Sequence, residues 1–323
     1  MAGVLNRPVH LILDYDGTLT IRDTMSVLGK LPKDPRMAWR DIEEAYIKDH
    51  QQYKNEHFDW IHYDHTEYSK WLMTRKAVEQ KSAKRVQDAC FFRGVTHEDV
   101  NNRVDESLCN GELQFRAGWL DLFALFLANY DPTVGMPKRS RISILSVNWS
   151  EAAIRRSLWQ AARLSDHPKK AAICCYINDM DIRANEIEGL GSPNGSSGRV
   201  CRPLPSSDIR TSDDKLVHMN AMRDAQITAN GDDHHCAGSI IYVGDSSTDF
   251  DSLCAADLGV WLYDVDESEY KETFTEVFKP LQMIPPISVR EVTRLQSSDG
   301  PAWSPLLAWD RNFDGLVKLF ANV

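Results

Sequence analysis

Short apolar runs alternate with longer amphipathic stretches along most of this chain. Val9–Leu13, Ile142–Leu145, Ala171–Ile177, Ser239–Val243 and Leu258–Leu262 are compact apolar runs and are predicted as buried strands. Between most of them, Trp119–Asn129, Glu151–Leu164, Lys215–Ile227 and a shorter stretch after Thr248 place their apolar residues at helical spacing. Buried strands alternating with helices predict an α/β fold, a parallel sheet covered by helices on both faces. In such sheets the polar residues that do chemistry gather beyond the carboxyl ends of the strands. Asp14, Ser146 and Asp245 each stand just past a predicted strand end.

The pattern changes between the first and second strands. From about Ile21 to Arg116 the chain is rich in Lys, Glu, Gln and aromatic residues, with helices predicted over Asp41–Lys54 and Glu67–Cys90. This predicts an inserted helical cap domain over 22–116, the catalytic core comprising 1–21 and 117–323. Asn185–Gly189 and Gly198–Arg202 flank the Gly/Ser-rich run Leu190–Ser197, which predicts a hairpin with a long mobile tip. After Pro285, residues Leu306, Trp309, Phe313, Leu316 and Phe320 are expected to pack back on the core.

Composition narrows the function classes. The formal charge of −10 over 323 residues argues against a general affinity for nucleic acid or an anionic membrane surface. No apolar run approaches the ~20 residues that span a bilayer, and nothing near the N-terminus resembles a secretory signal. Seven scattered cysteines without zinc-type spacing fit reduced thiols, so a cytoplasmic or nuclear location is expected. The choice between monomer and homo-oligomer stays open.

Asp14-Tyr15-Asp16-Gly17-Thr18-Leu19-Thr20 follows the first strand directly. An ionised carboxylate at Asp14 can attack phosphorus without first losing a proton, forming an aspartyl-phosphate. Asp16, two positions on, can protonate the leaving oxygen and then take a proton from water. Gly17 permits a sharp turn, and the backbone N–H groups of Gly17 and Thr18 can meet phosphate oxygens. Ser146 and Asn148 can donate further hydrogen bonds to a phosphoryl group. Lys215, at a predicted helix start capped by Thr211 or Ser212, can offset repulsion between Asp14 and a phosphate dianion. Gly244-Asp245-Ser246-Ser247-Thr248-Asp249 brings a carboxylate to another strand end, with Asp249 one helical turn later to orient it or a metal-bound water. Mg2+ suits such a site, with Asp14, the Asp16 main-chain carbonyl, Asp245 and Asp249 as its candidate metal residues. Asp251 reads as a helix-surface acid.

Together these elements resemble the haloacid dehalogenase-like superfamily in order and strand-end context, over nearly the whole chain. The resemblance implies a Rossmann-like core, magnesium, Asp14 as nucleophile, Asp16 as acid/base, Ser146 and Lys215 at the phosphate, and Asp245 and Asp249 at the metal. Asp23-Thr24 and Ala184-Asn185-Glu186 are similar to the phosphoserine-phosphatase branch with its helical cap. Leu145–Trp149, Gly244–Ser246 and Ala255–Gly259 resemble the phosphatase domain of plant thiamine monophosphate phosphatases.

The expected activity is hydrolysis of a small phosphorylated metabolite, thiamine monophosphate being the first candidate. A phosphotransferase or mutase would use the same intermediate, and a non-catalytic ligand-binding regulator would keep the fold alone. His57, His62 and His65, and His234-His235 beside Cys236, lack the spacing of a transition-metal site. The aromatic residues Trp39, Tyr46, Tyr53, Trp60, Tyr63 and Trp71 are expected to form the cap's own core, with one or two facing the substrate.

Overall fold

The computed structural model describes residues 8–32, 35–57, 64–130, 140–201, 208–229, 238–264, 269–295 and 306–321. Asp59, Trp60, His62, Tyr63 and His234–Cys236 lie outside the described residues. Strands β1 (Val9–Leu13), β2 (Arg141–Leu145), β3 (Ile182–Arg183), β6 (Ser239–Gly244), β7 (Leu258–Leu262), β8 (Ile287–Ser288) and β9 (Leu306–Asp310) form one sheet in the order β3-β2-β1-β6-β7-β9-β8. Every pairing in it is parallel. A two-stranded antiparallel ribbon, β4 (Glu186–Ile187) with β5 (Val200–Cys201), stands apart from the sheet.

Alternation along β1 explains the layers. Leu11 and Leu13 join a cluster with Trp119, Phe123, Ile154 and Leu316, whereas Ile12 faces Met219, Met222 and Leu253. The first group belongs to helices α6 (Trp119–Phe126), α7 (Glu151–Leu164) and α13 (Asp314–Ala321), with α8 (Lys170–Asp179) on the same side. The second belongs to α9 (Ser212–Ala229) and α10 (Phe250–Ala255). A strand buried on both faces needs no polar positions, and β1 and β6 are buried throughout.

Between β1 and α6 the chain forms α1 (Met25–Leu28), α2 (Trp39–His57), α3 (His65–Thr74), α4 (Lys76–Asp88) and α5 (His97–Cys109). Leu28, Ile42, Val86, Phe91, Phe92 and Val100 build an apolar cluster separate from those of the sheet, joined by Ile187 and Val200 of the ribbon. The remaining helices are α11 (Tyr270–Phe278) and α12 (Val289–Leu295).

Three expectations are corrected. Ala171–Ile177 lies in helix α8, not in a strand: Ile173, Tyr176 and Ile177 are buried at helical spacing, and the third strand is the shorter Ile182–Arg183. The Leu190–Ser197 tip is strapped down rather than mobile. Gly94 N donates to Ser196 O at 2.9 Å, Ser196 N to Val95 O at 2.8 Å, and His97 N to Leu190 O at 3.2 Å. Gly195, at φ +71°, fits only because it lacks a Cβ, which would lie 2.5 Å from Gly94 O. The tail does more than pack on the core, since β9 and β8 extend the sheet beyond β7.

Candidate active site

The strand order reverses at β1. The chain moves outward through β2 and β3, then returns to β6 on the other side of β1. A crevice at the carboxyl ends of β1 and β6 follows from that topology. Asp14 continues β1, its N–H donating to Val243 O at 2.9 Å, and Asp245 follows β6. One carboxylate oxygen from each of Asp14, Asp245 and Asp249 lies within 4.8 Å of the others.

Lys215 reaches this cluster from the first turn of α9. Its ammonium is 2.8 Å from Asp14 Oδ1 and 2.7 Å from Asp249 Oδ1, and it is fully buried. Burial alone would lower its pKa, but the two carboxylates outweigh that and raise it. Thr211 and Asp214 hold the turn that delivers it. Asp214 Oδ2 accepts from the N–H groups of Arg210 and Thr211 and from Thr211 Oγ1, satisfying donors ahead of the helix.

Asp249 is also fully buried. Its Oδ1 accepts from Lys215 Nζ and Tyr242 Oη, and its Oδ2 from Asp245 N, Ser246 N and Ser246 Oγ. So many bonds make it the post on which the Asp245 turn and Lys215 are hung. Asp245 Oδ1 accepts from Thr18 Oγ1 at 2.8 Å. Gly17 has φ +73°, and a Cβ there would lie 2.3 Å from Asp245 Oδ2, so the position demands glycine twice over.

Asp16 is held apart from this cluster. Its Oδ1 accepts from Thr24 N at 2.8 Å and Thr24 Oγ1 at 2.6 Å, and its Oδ2 from Asn148 Nδ2 at 2.6 Å. Burial and the nearby charge of Asp23 push its pKa up to about 6. Asn148 was expected as a phosphate donor, yet both amide hydrogens are taken, by Asp16 and by Thr24 Oγ1. Ser146 is buried at the end of β2, and its Oγ accepts from Asn148 N at 3.1 Å. No acceptor takes its hydroxyl hydrogen among the described residues. Asp251, expected on a helix surface, is only 7% exposed, and its Oδ2 has no partner among the described residues.

Sequence reading missed Arg116 and Tyr242. Arg116 donates to Gly17 O, Thr18 O, Asp264 Oδ1 and Arg311 O, tying the first turn to segments after β7 and β9. No local motif marks it, because its partners, from Gly17 to Arg311, are scattered over most of the chain. Tyr242 looks like any strand aromatic until the fold brings its hydroxyl to Asp249.

The donor set fits a hard divalent cation. Two buried carboxylates, Asp14 and Asp249, and the half-buried Asp245 face a single ammonium, so negative charge is in excess. Burial and Asp249 push Asp14 well above the usual carboxylate range and Asp245 up to about 7. Oxygen donors with uncompensated charge are what Mg2+ takes, and they offer no soft ligand to a thiophilic metal.

A cavity of about 440 Å3 lies between the helical insert and the segments that follow β2 and precede α9. Val147 and Trp149, on either side of Asn148, form one wall, while Trp39 and Tyr46 of α2 line another. Of the expected cap aromatics these two face the cavity. Tyr53 stacks on His57, and Trp71 on Tyr68.

No family model matches the chain. It is 25% identical over 244 residues to a CTO1 family protein of Schizosaccharomyces pombe, covering 75% of this chain and 77% of that one. It is 21% identical to cold tolerance protein 1 of Saccharomyces cerevisiae, covering 91% and 89%. Among solved structures it is similar to cytosolic 5'-nucleotidase IIIB bound to cytidine, with a TM-score of 0.50 and 14% identity over 99% of this chain and 88% of that one. The last likeness shows a shared α/β Rossmann-like fold.

Proposed function

We propose that this chain is a magnesium-dependent phosphomonoester hydrolase working through an aspartyl-phosphate on Asp14. One observation carries the reading: segments more than 200 residues apart bring the buried Asp14, Lys215 and Asp249 and the half-buried Asp245 into a single cluster at the sheet's switch point. A surface acidic turn would not need a buried lysine between two aspartates.

Asp14 attacks phosphorus, and the bond from phosphorus to the leaving oxygen breaks as the bond to Asp14 forms. Asp16, whose raised pKa leaves a protonated fraction near neutrality, gives its proton to the leaving oxygen. It then accepts a proton from the water that attacks phosphorus and releases Asp14. Thr24 and Asn148 hold Asp16 in position through both steps. Lys215 and Ser146 stabilise charge on the phosphoryl oxygens. A bound Mg2+, held by Asp14, Asp245 and the Asp16 carbonyl, with Asp249 orienting, would neutralise charge and keep both carboxylates ionised.

In this reading residues 22–116 act as the cap over a core of 1–21 and 117–323, closing over a small phosphorylated metabolite. The sequence resemblance makes thiamine monophosphate the first substrate to try. Phosphate release from p-nitrophenyl phosphate with and without Mg2+, by wild type and Asp14→Asn, tests the mechanism. Turnover that needs both the metal and Asp14 is expected. Equal turnover by the two proteins removes the nucleophile.

A further inference from the structure

Arg116 lies where the helical insert rejoins the sheet domain. The two connecting segments run side by side there: Thr20 bridges to Phe115 in the antiparallel sense, and Ile21 N donates to Gln114 O at 2.9 Å. Arg116 N then donates to Leu19 O at 2.8 Å. Its side chain takes the two preceding carbonyls of the same turn, with Nε 3.1 Å from Thr18 O and Nη2 2.6 Å from Gly17 O. One residue thus holds three consecutive carbonyl oxygens of the turn that follows β1. Nη1 fastens the assembly from the other side, donating to Arg311 O at 2.7 Å and Asp264 Oδ1 at 2.9 Å, beyond the ends of β9 and β7.

Stability is a poor reason for an arginine here. A guanidinium is permanently charged, and Arg116 is only 6% exposed. Three of its four side-chain acceptors are neutral carbonyls, and the side chain of its carboxylate partner Asp264 is 59% exposed. Burying a charge among such partners carries a desolvation cost that an apolar side chain avoids.

The turn held in this way faces Asp245. Thr18 Oγ1 donates to Asp245 Oδ1, and Gly17 lies so close that only the absence of a Cβ leaves room for Asp245 Oδ2. Residues 17 and 18 therefore place both oxygens of that carboxylate. None of the hydrogen-bond partners of the Arg116 side chain lines the cavity under α2.

We infer that Arg116 is a positioning residue for the metal site: it fixes the Gly17–Thr18 turn from the joint between insert and sheet domain, and through Thr18 it sets the Asp245 carboxylate for a divalent cation. The inference rests on the hydrolase reading for turnover, but for metal binding it needs only Asp245 as a ligand. Groups that orient metal ligands contribute roughly 10–100-fold to affinity or activity. A lysine at this position keeps the charge but lacks the planar fork that reaches two carbonyls at once.

Mg2+ binding is to be measured by calorimetry, without substrate, on full-length wild type, Arg116→Lys, Thr18→Val and the double variant. Arg116→Lys should bind Mg2+ about tenfold more weakly. Because Thr18 carries the effect to Asp245, the double variant should bind within about twofold of the weaker single variant. With saturating Mg2+ and p-nitrophenyl phosphate, Arg116→Lys should lose about tenfold in kcat, with KM within about twofold. Unchanged Mg2+ affinity, a loss confined to KM, or additive effects in the double variant overturn the inference. If Arg116→Lys does not fold by circular dichroism, Arg116→Gln takes its place under the same criteria. Failure of both to fold makes Arg116 a folding residue and also overturns it. Weaker Mg2+ binding by the variant, in a protein that releases no phosphate, keeps the inference and removes the hydrolase. Phosphate release that needs Asp14, with Mg2+ affinity indifferent to Arg116→Lys, does the reverse. Wild type that binds no Mg2+ sinks both.

Discussion

The carboxyl edge of β1 and β6 and the cavity under α2 are built on opposite plans. At the edge, the central side chains are tied to one another: Asp249 alone takes five hydrogen bonds, and Lys215 is sandwiched between two aspartates. In the cavity, aromatic residues form the walls, and the carboxylates of Asp23 and Glu43 have no cationic partner among the described residues. Saturation suits groups whose positions must not change during bond making. Unmet valence suits a surface that waits for a ligand. The contrast teaches where chemistry ends and selection begins, and variants in the two regions should fail in different ways.

On the proposed mechanism, in which Asp14 is the nucleophile, Asp14→Asn should have the largest effect on turnover, roughly 10³-fold or more. The same variant removes one of three crowded charges. Its unfolding midpoint in guanidinium without Mg2+ should therefore equal or exceed that of wild type. A destabilised Asp14→Asn would show that the edge is built for stability rather than for reaction.

Lys215→Met should lower both activity and stability. Breaking a buried ion pair costs about 3–5 kcal/mol, and here it leaves three carboxylates with no ammonium. Denaturation with and without Mg2+ checks this, the metal restoring part of the loss.

A smaller effect is expected at Glu186, which joins the ribbon to α7. Its carboxylate accepts from Ser150 Oγ, Ala152 N and Ile187 N. Burial pushes its pKa up from 4.5 to about 7. The folded state thus holds this proton more tightly than the unfolded state, so its contribution to stability falls as pH rises from about 4.5 to about 7. Compared with Glu186→Gln, wild type should lose about 3 kcal/mol across that window, measured by denaturation at several pH values. No difference in slope would mean that Glu186 titrates normally.

The smallest effect should come at the junction between the insert and the edge. Lys76 of α4 pairs with Asp214 at 2.6 Å, but its side chain is 39% exposed. Lys76→Ala should cost less than about 1 kcal/mol, read from the same denaturation curves. A larger loss would make the insert part of the edge's own scaffold.

Much of the edge was legible from residue order. Buried strands end in carboxylates at Asp14 and Asp245, and a helix-start lysine follows the second strand and precedes β6; these local patterns survive any detail of packing. Four predicted strands appear where periodicity put them. Ala171–Ile177 misled because a short apolar run satisfies either period, and only the burial of Ile173, Tyr176 and Ile177 against the sheet selects the helix. Asn148 was marked as a phosphate donor from its place after a strand end, whereas its bonding to Asp16 and Thr24 depends on three segments meeting.

What the sequence alone determined was the chemistry available at each strand end, because a strand's burial and its exit turn are properties of neighbouring residues. Only the tertiary structure decided which of those groups meet, that Arg116 and Tyr242 join them, and that an aromatic, acidic cavity forms under the insert. The reason is physical: charge pairing and cavity shape depend on distances between residues far apart in the chain, and such distances exist only once the sheet has assembled and the helical insert has packed against it.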